Sequence, residues 1–235
     1  MLDYCLICHT KIIPKIGWQA LVAKEKQETL CEACKDKLQE IEGKTCLICG
    51  RSFEHLEPRF IKDDHCSDCI RWEEDPEWKG CLEKNESFYM YNGFLQEVIA
   101  CYKYRGDYIL AKIFSEKVLK ITTQQKADLL VPIPLSQERL HERGFNQAEA
   151  ILLEAGRTPA NILKRTHAEK QSKKSRHERI HVQQVFQLEI DAQIDGKTIL
   201  LIDDIYTTGS TLRHAAKVLV QNGAKSVSSL TIARG

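Results

Sequence analysis

Two adjacent carboxylates, Asp203 and Asp204, close an apolar run in ILLIDDIYTTGSTL. Thr207, Thr208, Gly209, Ser210 and Thr211 follow and lead into a helix-like segment. Successive backbone N–H groups at a helix start form an anion-binding cup, and the helix dipole aids it. Small residues let the backbone approach a phosphate closely, and the hydroxyls add donors. Two carboxylates beside such a cup repel a second phosphate but suit a sugar diol or a hydrated Mg²⁺. The chemistry asked for is a ribose with a phosphate at one end and its hydroxyls facing the acids.

The cysteines carry a second chemistry. Eight of the ten fall into four Cys-x-x-Cys pairs: Cys5/Cys8, Cys31/Cys34, Cys46/Cys49 and Cys66/Cys69. Sulfur ligands at this spacing suit tetrahedral zinc, and in a reducing compartment they favour metal over disulfides. Sixteen residues separate Cys49 from Cys66 and twenty-two separate Cys8 from Cys31. The expected grouping joins the first two pairs on one ion and the last two on another, as two repeated ribbons. A cross-braced grouping stays open. A redox role for one pair needs a βαβ context that the sequence does not offer there. Cys81 and Cys101 read as plain thiols, and His9, His55 and His65 as neighbours of the sulfur sites.

A third constellation is basic. Residues 164–181 hold seven Lys/Arg against two Glu, among them Lys170, Lys173, Lys174 and Arg176. Lys103 and Arg105 form a second cluster, with Tyr102, Tyr104 and Tyr108 interleaved. Cations with aromatics suit a single nucleic-acid strand, by phosphate neutralisation and base stacking. A solvated loop and a buried tyrosine face are the plain alternatives.

The elements that must position these residues read as α/β. Residues 87–91 are strand-like and end at the Asn92-Gly93 turn signal. Residues 94–105 and 108–121 read as helices split at Gly106. Residues 128–134 form a short apolar strand halted by prolines, and 146–155 a helix stopped by Gly156. VFQLEI at 185–190 is strand-like, and KTILLID at 197–203 reads as a fully buried strand. TLRHAAKVLVQNG sets Leu212, Ala215, Ala216 and Leu219 on one helical face, with Gly223 at the C-terminal cap. SVSSLTIA closes with a strand. Such alternation predicts a parallel sheet flanked by helices, with ligands beyond the strands' carboxyl ends.

The cysteine-rich N-terminal part, poor in periodic segments, is expected to be a small metal-stapled domain over residues 1–84. Residues 85–235 form the larger domain. With a net charge of +1, overall charge selects no partner. The N-terminus lacks a signal-peptide pattern, and no apolar run approaches the roughly 20 residues of a membrane span, so a cytoplasmic location is expected.

Three alternatives compete for the acidic strand and its loop. A capped helix after a buried strand needs a shorter run than this one. A nucleotide-hydrolase reading fails because Gly196-Lys197-Thr198 precedes a strand, with Asp191 where the first glycine belongs. An Asp-x-Asp phosphatase nucleophile fails because Ile205 lies two after Asp203.

LLIDDIYTTGST resembles the signature of type I phosphoribosyltransferases, the fold that binds phosphoribosyl pyrophosphate (PRPP). VPIPLSQERLHERGFNQAE at 131–149, YKYRGDY at 102–108 and EKQSKKSRHER at 169–179 resemble the ComF family of competence proteins, as do the four cysteine pairs. The resemblance implies a type I phosphoribosyltransferase-like parallel sheet with a small N-terminal double zinc ribbon. It implies that Asp203 and Asp204 contact the ribose hydroxyls, one through Mg²⁺, and that Thr207 to Thr211 hold the 5′-phosphate. Pro132 to Leu135 then occupy the place where such enzymes bind pyrophosphate, although the two prolines fix the backbone and remove donors, so a rigid structural turn is the equal alternative. It further implies single-stranded DNA and an ATP-driven DNA translocase as partners during natural transformation. No acceptor-specific constellation is visible. PRPP binding, pentosyl transfer to an unidentified acceptor, and a scaffold without ligand are therefore separate expectations.

Overall fold

A computed structural model describes residues 4–13, 28–54, 56–166 and 185–235. Its elements, in chain order, are α1 (Glu32–Lys35), β1 (Ile61–Lys62), β2 (His65–Cys66), α2 (Ser67–Glu74), β3 (Asn85–Met90), α3 (Gly93–Tyr104) and α4 (Ala111–Gln125). There follow β4 (Leu129–Pro132), α5 (Gln137–Arg143), α6 (Gln147–Glu154), β5 (Leu163–Arg165), β6 (Phe186–Leu188), β7 (Thr198–Tyr206), α7 (Ser210–Gln221) and β8 (Ser226–Arg234). Four strands form a parallel sheet in the order β3-β8-β7-β4. The expected parallel α/β architecture is present.

The two cysteine units repeat one design. In each, a Cys-x-x-Cys turn is closed by the first cysteine's N–H, to Thr10 O at 2.9 Å in one and to Arg51 O at 2.8 Å in the other. The residue after the second cysteine takes a left-handed conformation, His9 at φ 57° and Gly50 at φ 68°. The partner pair opens a helix: Cys31 stands at the N-cap position of α1 and Cys66 at that of α2. The repeats sit on opposite faces of the sheet. Cys5 and Cys34 pack into the core that β7 and β8 share with α3, α4 and α6. Cys46, Cys49, Cys66 and Cys69 pack into the other core, with Tyr206 and the apolar face of α7.

Between the two units the chain runs along the outer edge of β3. Ile41 N donates to Phe88 O at 3.0 Å and Met90 N to Gln39 O at 2.9 Å.

Helix positions follow from sequence spacing. Leu95, Val98, Ile99 and Tyr102 form the buried stripe of α3, and the Asn92 side chain caps it by accepting from Leu95 N at 2.9 Å. Helix α7 buries Leu212, Ala215, Ala216 and Leu219. Two details differ from expectation. β6 pairs antiparallel with β5 and forms a separate ribbon. Its burial alternates, as suits a half-buried ribbon rather than a strand buried on both faces. β7 continues past the acids to Tyr206, because Ile205 and Tyr206 pair with Ala233 and Arg234.

Arg213 projects from the buried side of α7 with no exposed surface. Its Nη1 donates to Glu73 Oε1 at 2.8 Å, and its guanidinium lies 5.2 Å from the Trp72 ring centroid. This contact fastens α2 to α7. Truncating one partner of a buried pair leaves an uncompensated charge, at about 3–5 kcal/mol. Glu73→Ala should therefore lower the urea midpoint strongly. The double variant Glu73→Gln, Arg213→Met should recover a large part of the loss.

Candidate ribose-phosphate site and metal centres

Asp203 and Asp204 lie in the last turn-ward part of β7, and Thr207 to Thr211 connect it to α7. Thr207, Thr208 and Thr211 are exposed. Gly209 is buried at φ 80°, and a Cβ there would collide with the Tyr206 hydroxyl. Glycine is thus required twice, by conformation and by space. Among the described residues, the amides of Thr207, Thr208 and Gly209 have no intramolecular hydrogen-bond partner. Ser210 N is 3.4 Å from Thr208 Oγ1, a weak contact. The loop therefore keeps free donors at the start of a twelve-residue helix, which is what an anion requires.

The carboxylates have unequal surroundings. Asp204 accepts from Lys103 Nζ at 2.6 Å, and both side chains are largely buried. Lys103, read from sequence as part of a nucleic-acid surface, is thus placed on the acid pair. Asp203 is half-buried and its Oδ1 accepts from Asp204 N at 2.9 Å. Burial and then the Asp204 charge push its carboxyl up to about 7, against the opposing pull of that hydrogen bond, Lys103 and Arg165. Arg165 is a site neighbour that its place in a basic run concealed. Its guanidinium lies 5.6 Å from the Phe186 ring centroid, and burial lowers its pKa. A cavity of about 270 Å³ opens next to it, lined by Pro132, Leu135, Asn146, Asn161 and Arg165 among others.

The remaining basic positions divide. Arg105 and Tyr104 are exposed, with Arg143 5.7 Å from the Tyr104 ring centroid. Tyr102 is fully buried and donates to Gln147 O at 2.8 Å, while Tyr108 packs on Phe145. Lys170, Lys173, Lys174 and Arg176 lie outside the described residues, as does His55.

The structure gathers the cysteines in sequential order. Cys5, Cys8, Cys31 and Cys34 form one group, and Cys46, Cys49, Cys66 and Cys69 the other, with all ligand atoms of a group within 4.8 Å of one another. In the second group Cys66 N donates to Cys46 Sγ at 3.3 Å and Arg234 Nη2 to Cys49 Sγ at 3.4 Å. Four clustered sulfurs, two of them with donors aimed at them, fit a tetrahedral thiophilic ion, whose thiolates accept such bonds. Each group could hold one metal. Cys81 is buried apart from both, and Cys101 is half-buried.

Three residues that sequence reasoning missed surround the loop. Arg234, 3% exposed, donates through Nη1 to Thr207 O at 2.9 Å and Tyr206 O at 3.2 Å. Trp72 Nε1 donates to Thr208 O at 3.2 Å. The Tyr206 hydroxyl lies beneath Gly209 without a partner among the described residues. An arginine ending an apolar strand was the available signal for the first.

A parallel sheet that ends in paired acids and a glycine-bearing loop, joined to two four-cysteine groups, defines a phosphoribosyltransferase-type domain with a cysteine-clustered N-terminal region. The phosphoribosyl transferase domain family matches residues 140–235. Competence protein ComFC of Bacillus subtilis (strain 168) is 37% identical over 234 residues, 98% of this chain and 94% of that protein. ComFC of Streptococcus pneumoniae (strain ATCC BAA-255 / R6) is 29% identical over 98% of this chain and 99% of its own length. DNA utilization protein YhgH of Escherichia coli O157:H7 is 31% identical over 46% of this chain and 50% of its own. The chain belongs to the ComF family of competence proteins.

The raised Asp203 carboxyl gives a signed pH effect. A carboxyl whose folded pKa is raised favours the folded state below the ordinary carboxylate range, and this advantage is lost as pH climbs through about 7. Asp203→Asn removes the dependence. It should melt above the parent at pH 8, the gap should narrow as pH falls below about 7 and close only below the ordinary carboxylate range, and the slope should stay under about 1.4 kcal/mol per pH unit. Thermal scans across that range measure it.

Proposed function

We propose that the chain binds PRPP or a related ribose phosphate at Asp203, Asp204 and Thr207 to Thr211, and acts in the uptake and handling of single-stranded DNA during natural transformation. The observation that carries the ligand reading is the set of unpartnered amides at Thr207, Thr208 and Gly209, which begins three residues beyond the acid pair. The 5′-phosphate sits on those amides, and the ribose hydroxyls face Asp203 and Asp204. Asp203, whose carboxylate the Lys103 ammonium does not bond, would be the residue to hold a Mg²⁺ ion, which would supply charge neutralisation there. The DNA reading rests on the family's competence proteins and on the exposed Tyr104 and Arg105, with Lys170, Lys173, Lys174 and Arg176. The cysteine groups are read as structural zinc sites of a region over residues 1–84, carried by the domain over 85–235. The protein partner is the ATP-driven DNA translocase of the competence system, in the cytoplasm.

A second reading is pentosyl transfer. An acceptor's lone pair bonds to the anomeric carbon, pyrophosphate leaves with the bonding pair, and the acceptor's proton passes to solvent or a carboxylate. The cavity beside Arg165 favours it, because a space of about 270 Å³ with polar walls could admit an acceptor. Positioning and carboxylates facing the cationic ring would drive the step.

Calorimetry with PRPP and Mg²⁺ should detect binding, and Asp203→Asn with Asp204→Asn should abolish it. Retained affinity would remove the assignment. Pyrophosphate release with candidate acceptors, DNA included, separates transfer from binding. Neutralising Lys170, Lys173, Lys174 and Arg176 together should weaken single-strand binding and flatten its log–log salt slope by about 0.7 per charge removed. An unchanged slope rules that segment out.

A further inference from the structure

We propose that Arg234 is a positioning residue that ties the loop at 207–211 to the second cysteine group. Metal held by Cys46, Cys49, Cys66 and Cys69 then sets the direction of the loop amides, whereas metal at the first group does not. One planar guanidinium spans the connection: Nη2 lies 3.4 Å from Cys49 Sγ, while Nη1 holds Tyr206 O and Thr207 O. Its plane is fixed by the Tyr206 ring, whose centroid is 4.7 Å away. Trp72, three residues after Cys69, adds the next carbonyl, Thr208 O at 3.2 Å.

Peptide planarity converts this into an effect on donors. In a trans peptide the carbonyl of one residue and the N–H of the next point to opposite sides. Holding the carbonyls of Tyr206, Thr207 and Thr208 from the cysteine side turns the N–H groups of Thr207, Thr208 and Gly209 the other way. These are the three amides without an intramolecular partner among the described residues. The loop is held by one edge and offers the other to an anion.

The sulfur end is sensitive to metal. Thiolates on a divalent ion accept a charge-assisted hydrogen bond, and four of them around one such ion leave a net negative charge that a buried arginine offsets. Without the ion the four sulfurs lose the centre that holds them together, and Cys49 Sγ is no longer fixed against Arg234. The first group packs on the opposite face of the sheet, and no described hydrogen bond runs from it to residues 206–211.

The test uses the full chain. Metal content, hydrogen exchange of the amides at 207–212 and ribose 5-phosphate binding are measured for the parent, Arg234→Gln, Cys66→Ser and Cys31→Ser. Arg234→Gln should keep both metals, speed loop exchange and weaken ribose 5-phosphate by roughly tenfold, within the usual range of site coupling. Cys66→Ser should lose one metal and match it, and Cys31→Ser should lose one metal with loop exchange unchanged. Should Cys66→Ser not fold, Arg234→Gln carries the test alone. With Co²⁺ in the cysteine groups, ribose 5-phosphate should shift the thiolate-to-metal absorption of the parent and, through the second group alone, of Cys31→Ser, but not of Arg234→Gln. A fully metallated Arg234→Gln with parental loop exchange overturns the proposal, as does equal loop loosening in Cys31→Ser. The phosphate arm rests on the ribose-phosphate reading, the exchange arm does not. A parent that ignores ribose 5-phosphate while its loop exchange still follows the second metal refutes that reading and upholds this one.

Discussion

The parallel pairing of β7 with β8, from Thr198 opposite Ser226 to Tyr206 opposite Arg234, is the constraint on which the rest hangs. Its register decides what stands where. It brings Asp203 level with Thr231 and carries β7 two residues beyond the acids, so the loop begins at Thr207. It also sets Arg234 beside Tyr206, where one side chain reaches both the loop carbonyls and Cys49. A slip of one residue would invert every side chain of β8 and send Arg234 to the opposite face. Both strands are buried over most of their length, and such a slip would forfeit the contacts of Arg234 with Tyr206, Thr207 and Cys49.

Electrostatics at the acid pair show a division of labour. Two carboxylates so close in a partly desolvated place cannot ionise independently. The Lys103 ammonium compensates Asp204, and Asp203 is left with the burden of burial and a like charge. A diol or a divalent ion arriving at Asp203 meets a group whose ionised form is unsatisfied, so ligand and proton compete for it. The pair holds one carboxyl whose ionised form is costly, in keeping with the tendency of perturbed carboxyls to mark functional places.

Much of this was legible from sequence, and the misses share a cause. The parallel sheet, α3, α7 and the sequential cysteine grouping followed from periodicity, caps and spacing, which are local signals. Lys103 was read as surface because it sits in a basic, aromatic stretch, yet its partner is a hundred residues downstream and no local pattern points to it. Arg165 was hidden in the same way, by the run of charges that follows it. Arg213 and Arg234 were passed over because each is one cation among apolar neighbours, and only three-dimensional pairing tells a buried ion contact from a strand or helix end. The β5–β6 ribbon was missed because three-residue strands carry too little pattern to show which partner they choose.

The segment that bridges the two cysteine units closes one border of the sheet. With Gln39 and Ile41 hydrogen-bonded to Met90 and Phe88, β3 has main-chain partners on both sides along that stretch. At the opposite border Ala160 N already occupies Leu130 O at 2.7 Å. Open strand borders are templates for unwanted pairing with other chains. Here those borders are partly sealed by the protein's own backbone, so a companion macromolecule meets side chains and loop tips rather than a vacant ladder, and recognition falls to chemistry displayed at the rim.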